Sequence, residues 1–155
     1  MISSIPAVLY LRISTFSGFS VSDFLIPAVK DSLRSLSTFT FPNSVKTIGL
    51  SAFSNNEALE TVDFGRGVTD IGSYAFENCP LLLNVTIPEN VTYIGSGAFY
   101  QNSALESITI PAGVTSILQN TFYGCKNLKT VAYGGDIQNL TVNAKGNDFF
   151  TNAIN

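Results

Sequence analysis

The amino-acid sequence predicts an α/β solenoid of 23-residue coils, with a parallel β-sheet on one face and short helices or turns on the other. Three observations predict it. A 23-residue period runs four times without a gap from Phe41 to Ala132, its copies starting at Phe41, Phe64, Ile87 and Ile110. Apolar residues return to the same columns in every copy: Val45, Val68, Val91 and Val114; Ile48, Ile71, Ile94 and Ile117; Phe53, Phe76, Phe99 and Phe122; Leu59, Leu82, Leu105 and Leu128. Each copy also contains a short stretch in which apolar and polar residues alternate, the signature of a half-buried strand.

The elements follow in chain order. Residues 1 to 26 show no period. Pro27 opens a segment in which Val29, Leu33 and Leu36 recur at i, i+4 and i+7, which predicts a short helix over 27–36 completing a degenerate first repeat. Ser37 to Thr40 matches the strand of a repeat. In each regular copy the strand centres on Val62, Val85, Ile108 or Val131, and copies in phase pair as a parallel sheet with rungs about 4.8 Å apart. The Val-x-x-Ile-Gly stretch predicts a second extended segment ending in a turn. Gly49, Gly72 and Gly95 are expected to supply that turn through a positive φ. Leu118 replaces glycine in the last copy, so a different turn is expected there. The Ala-Phe stretch, such as Gly97 to Ser103, predicts a helical turn or short helix on the opposite side. Pro42, Pro88 and Pro111 follow the strands, where a missing N–H costs little. The whole reads as one domain: a cap and degenerate repeat over 1–40, four repeats over 41–132, and a C-terminal cap over 133–155.

The pattern Ile-Pro-x-x-Val-Thr-x-Ile-Gly-x-x-Ala-Phe-x-x-Cys-x-x-Leu, best seen from Ile87 to Leu105, resembles the BspA-like leucine-rich repeat, also called the Treponema pallidum type. The Asn/Cys-x-x-Leu step recurs as Asn56 with Leu59, Cys79 with Leu82, Asn102 with Leu105, and Cys125 with Leu128. Residues 131–135, 146–148 and 151–154 resemble the segment that closes such arrays, without the Trp often found in it. The resemblance implies a right-handed leucine-rich repeat and a bacterial surface protein, with several family members acting as adhesins for host matrix or plasma proteins.

Composition removes most other functions. Net charge is −3 and the pI about 4.7, so the chain lacks the basic face that nucleic acid requires. There is no His, which removes the commonest general base and metal ligand; two Cys cannot close a zinc shell alone. No cofactor or metal is expected. No apolar run reaches 18 residues, so this chain is not expected to insert into a membrane. Glu57, Glu60, Asp63 and Asp70 are the densest acids, but the equivalents of Glu60 and Asp63 in later copies are Leu83, Thr86, Glu106 and Thr109, and GRGVTDIG has neither the spacing nor the Lys of a phosphate loop. The expectation is no enzymatic activity. Cys79 and Cys125 lie two periods apart, about 10 Å along the stack, beyond disulfide reach; they are expected to be free, buried and bonded to turn backbone. The sequons at Asn84, Asn90 and Asn139 are as many as chance supplies in a chain rich in Asn, Ser and Thr. The opening residues carry no basic side chain, which argues against a secretory leader; the chain reads as a piece of a longer exported protein, extracellular or at the cell surface, or as one whose signal is gone.

Binding is expected on the outward strand positions. One column is Thr38, Thr61, Asn84, Ser107 and Thr130; the other is Thr40, Asp63, Thr86, Thr109 and Ala132. Their short polar side chains also suit exposed strands by propensity alone. They lose little entropy on docking, and an open face suits a protein or glycan partner better than a small molecule. Tyr74, Tyr93, Tyr100 and Tyr123 lie elsewhere on the coil and make the opposite side a competing surface. A spacer within an envelope protein, with no ligand of its own, is the alternative. An ice-binding Thr ladder is disfavoured, because Asp63, Asn84 and Ala132 interrupt it.

Overall fold

The computed structural model describes residues 36–143 and 145–153. The helix expected over 27–36 falls outside them except for Leu36, which is buried. Among the described residues ten short strands alternate between two faces of the coil. The longer series comprises β1 (Thr38–Thr40), β3 (Thr61–Asp63), β5 (Asn84–Thr86), β7 (Ser107–Ile110) and β9 (Thr130–Tyr133). The shorter comprises β2 (Thr47–Ile48), β4 (Asp70–Ile71), β6 (Tyr93–Ile94), β8 (Ser116–Ile117) and β10 (Thr141–Val142). All observed pairings are parallel. Register is one period, as in Thr38 with Thr61 and Ile108 with Val131, except at β8–β10, where Ser116 faces Thr141. Side chains of equal rank therefore stack.

The core is that stack. The Val45, Ile48, Phe53 and Leu59 columns are buried in every copy. Phe53, Phe76, Phe99 and Phe122 lie ring on ring at 5.3, 5.7 and 5.8 Å with interplanar angles of 16°, 8° and 1°. Burying each such ring contributes about 1.5–3 kcal/mol relative to exposure. Helix α1 (Asp148–Ala153) adds Phe150 at 4.8 Å from Phe122 and extends the column to a fifth ring.

The third side of each coil is built from turns, not the short helices expected from the Ala-Phe stretch; among the described residues the α-helix is confined to α1. The reason is visible in the backbone. Ser51, Tyr74, Gly97 and Asn120 have φ of 52–64°, and Asn55, Asn78, Gln101 and Gly124 have φ of 52–78°. Two left-handed residues per coil preclude a helix. They also turn amides outward along the stack: Ser51, Phe53 and Asn55 N–H donate to Ser73, Ala75 and Glu77 C=O, and the next two junctions repeat this triplet. The hydrogen bonds that a helix would make internally are made between coils instead.

The glycines expected at positive φ are not there: Gly49, Gly72 and Gly95 do not adopt it. For two of them the reason for glycine is proximity. A Cβ on Gly72 would lie 2.7 Å from Ile48 O, and one on Gly95 2.4 Å from Ser73 N. Leu118 breaks this rule with a visible consequence. Contrary to expectation its turn survives, with Thr121 N–H still donating to Leu118 C=O at 3.4 Å, as Ala98 does to Gly95 at 3.2 Å. What is lost is the ladder to the preceding coil. The shorter series divides into β2-β4-β6 and β8-β10, with no pairing between β6 and β8.

Pro42, Pro88 and Pro111 each accept from the amide three residues on, Val45, Val91 and Val114, at 3.0–3.1 Å. Gly65 takes the proline position in the second copy and adopts a φ of 60°. Asp63 caps that turn, its Oδ1 accepting from Gly65 N–H at 2.8 Å. The longer series divides at this junction, into β1-β3 and β5-β7-β9.

Candidate functional site

The longer strand series places the expected binding residues on one face. Its inward residues Phe39, Val85, Ile108 and Val131 are buried and Val62 is half-buried, so the residues flanking them turn outward. Thr38, Thr61, Asn84 and Thr130 are exposed and Ser107 is half-buried; Thr40, Asp63, Thr86, Thr109 and Ala132 are exposed. Register aligns them in two rows, Asn84–Ser107–Thr130 and Thr86–Thr109–Ala132, over the three paired strands.

The face is not one continuous plate. Thr38 and Thr40 pair with Thr61 and Asp63 in one block, and the remaining residues form a second. Three of the expected residues are already engaged internally. Asp63 holds the Gly65 amide, and Ser107 Oγ donates to Asn84 Oδ1 at 2.6 Å. The free polar capacity of the face is therefore concentrated in its threonines. Such hydroxyls on a backbone fixed by ladder bonds are preorganised for contact.

The tyrosines divide. Tyr93 lies in β6 with its ring exposed. Tyr74, Tyr100 and Tyr123 come together on the turn side, with centroids 6.2 and 5.0 Å apart. Gly97 makes this possible, because a Cβ there would lie 2.4 Å from Tyr74 Cε1. Ser51, Tyr74, Glu77, Tyr100 and Asn120 line an open hollow beside this cluster. The 66° angle between the first pair and 15° between the second show rings packed largely on one another.

The thiols are free and buried, as expected. Each is part of a ladder that crosses the coils. Cys79 Sγ donates to Phe53 O at 3.3 Å, Asn102 Nδ2 to Phe76 O at 2.8 Å, and Cys125 Sγ to Phe99 O at 3.1 Å. Asn102 Oδ1 accepts in return from Cys79 N–H at 2.9 Å. Burial pushes both thiols up to about 12 from 9.0, partly offset by backbone hydrogen bonds from Asn56 and Asn102. A thiol held this far from ionisation is a poor nucleophile. Among the described residues no group of three or more potential ligands converges to hold a metal ion. No described helix is long and apolar enough to cross a membrane.

Residues 28–153 match the BspA type leucine rich repeat region in six copies, two more than the regular periods of the sequence. Solved structures agree. A leucine rich cell surface protein of Faecalibacterium prausnitzii is 33% identical over 67% of this chain, with a TM-score of 0.64. A T. pallidum leucine rich repeat protein is 29% identical over 63% of the chain, with a TM-score of 0.51. The pneumococcal vaccine antigen PcpA, at 21% identity, 67% coverage and a TM-score of 0.60, shares the fold. The chain spans 27%, 56% and 26% of those proteins respectively. A comparison with curated proteins finds no match. The chain is thus homologous to bacterial cell-surface repeat proteins, and it belongs to the BspA-type leucine-rich repeat family.

Proposed function

We propose that this chain is a non-catalytic binding module, displayed extracellularly or at a cell surface as part of a longer exported protein. Its strand face docks a host matrix or plasma protein, or a glycan, in the manner of an adhesin. The residues that carry contact are Thr38, Thr40, Thr61, Asp63, Asn84, Thr86, Ser107, Thr109 and Thr130. The observation that supports this most is the register that sets these side chains in two outward rows on two blocks of hydrogen-bonded parallel strands. Likeness to a leucine rich cell surface protein supports the location.

The test is binding of the whole chain to a panel of immobilised matrix and plasma proteins, compared with Thr86→Lys/Thr109→Lys. These positions are exposed and central to the three-stranded block. Binding that falls at least tenfold, about 1.4 kcal/mol, supports the strand face. Binding that survives unchanged moves the site to the tyrosine side. Absence of binding across the panel favours the spacer.

A further inference from the structure

One flank of the solenoid carries a charge pattern unrelated to the strand rows. Each coil enters its long strand through two outward positions, three residues apart. They hold Glu57 and Glu60 in the first copy, Pro80 and Leu83 in the second, Ser103 and Glu106 in the third, and Lys126 and Lys129 in the fourth. Both glutamates of the first copy and both lysines of the fourth are exposed. Leu83 is 45% exposed and its neighbour Leu81 48%. An outward leucine at position 83, in a column otherwise charged, is the informative departure here. The flank thus runs from two negative charges through an apolar patch to two positive charges. Glu106 sits one rung inside the lysines and pairs with Lys129 at 3.2 Å, which draws its carboxylate toward that end.

This order is self-complementary under a two-fold rotation. An axis lying in the plane of the contact, between the second and third rungs and along the coil direction, exchanges the first rung with the fourth. It keeps the direction along each coil, so Glu57 meets Lys126 of a second copy and Glu60 meets Lys129. Leu83 of each copy faces the third rung of the other, offset from the other copy's Leu83 by one rung, about 5 Å along the stack. We propose that this flank is a homotypic contact: a second copy of the chain docks antiparallel on it, leucines at the centre and opposite charges at both ends. Four rungs span only about 14 Å, so the contact is smaller than a standard interface. The dimer is weak in dilute solution and is populated where many copies share a surface. The strand rows take no part, so the proposed ligand face stands or falls separately.

Sedimentation equilibrium of the whole chain tests this. At about 0.02 M salt the weight-average mass rises toward twice the monomer with concentration, and the rise is lost at about 0.5 M salt. Glu57→Lys/Glu60→Lys and Lys126→Glu/Lys129→Glu each remain monomeric, because each flank then repels its own copy. An equimolar mixture of the two associates again, which also shows that both fold. Leu83→Asp weakens association at least tenfold. A chain that stays monomeric at about 1 mM overturns the proposal. So does association that survives every substitution, or a mixture that stays monomeric.

Discussion

The turn side and the strand sides of this solenoid are held together differently. The strands are the recognisable elements, yet each strand series is interrupted once, at β3–β5 and at β6–β8. The turn side contains no regular element, yet three backbone hydrogen bonds cross each of the first three junctions between copies. The difference lies in what each side demands of its residues. The strand ladders need every Cβ to clear the neighbouring coil. The two gaps fall where Leu118 stands for Gly and where an Asp63-capped Gly65 stands for Pro. The turn side draws on alternating backbone conformations and buried side chains, and tolerates Ser, Tyr, Asn, Gln or Gly at its left-handed positions. Continuity in a repeat protein need not lie in its named secondary structure.

Substitution can break that contrast, and the largest effect is expected in the shared core. Phe99→Ala removes a ring stacked on both sides and should cost about 3–5 kcal/mol in denaturant unfolding. A variant that unfolds like the parent would show that the coils do not rest on this column. Next is the buried amide of the turn side. Asn102→Ala leaves Cys79 N–H and Phe76 C=O without their partner and should cost about 2–4 kcal/mol. Asn102→Cys, the residue used one copy away, should recover part of it, because a thiol still donates to the carbonyl.

The strand ladders should respond less. Gly95→Ala drives a methyl into Ser73 N and should open β4–β6, at a cost of about 1–3 kcal/mol. Its converse, Leu118→Gly, should close β6–β8 and slow amide exchange at residue 118. Its net stability should change by under about 1 kcal/mol, since glycine's entropy offsets the gained bond. Exchange that stays fast would remove Leu118 as the cause of the gap. The smallest effect is set by pH. Cys79 and Cys125 are pushed up to about 12 from 9.0, so the folded state keeps both protons where the unfolded chain releases them. Their stabilisation is complete below pH 9 and declines as pH rises toward 12. Unfolding free energy should fall over that window, less steeply in Cys79→Ala/Cys125→Ala.

Much of this was legible in the sequence, because identical side chains at a fixed period have one economical arrangement. The phenylalanine column, the outward threonines and the buried thiols all follow from rank within the coil. Glycine was ambiguous, because it serves two ends. At Gly72 and Gly95 it answers proximity, while the paired left-handed positions of the turn side in the four copies are occupied mostly by other residues, with glycine at Gly97 and Gly124. The division of the strand face was hidden because it falls beside the turn where Asp63 bonds Gly65, a contact no periodic reading contains. Phe150 was missed because it lies 28 residues after Phe122, out of phase, and reaches the column through a helix. Leu83 could have been noticed, since Glu60, Glu106 and Lys129 share its column.

The turn-side amides also give the stack an arrow. Ser51, Tyr74 and Gly97 all donate to the coil that comes after, and Asn120 and Phe122 give theirs to Lys145 C=O and the Asn147 carboxamide. During synthesis, then, a freshly emerged coil cannot satisfy its turn-side amides between coils until roughly one more period has left the ribosome. Assembly trails translation by that lag, and Asn147 supplies the stopper that lets the fourth copy complete.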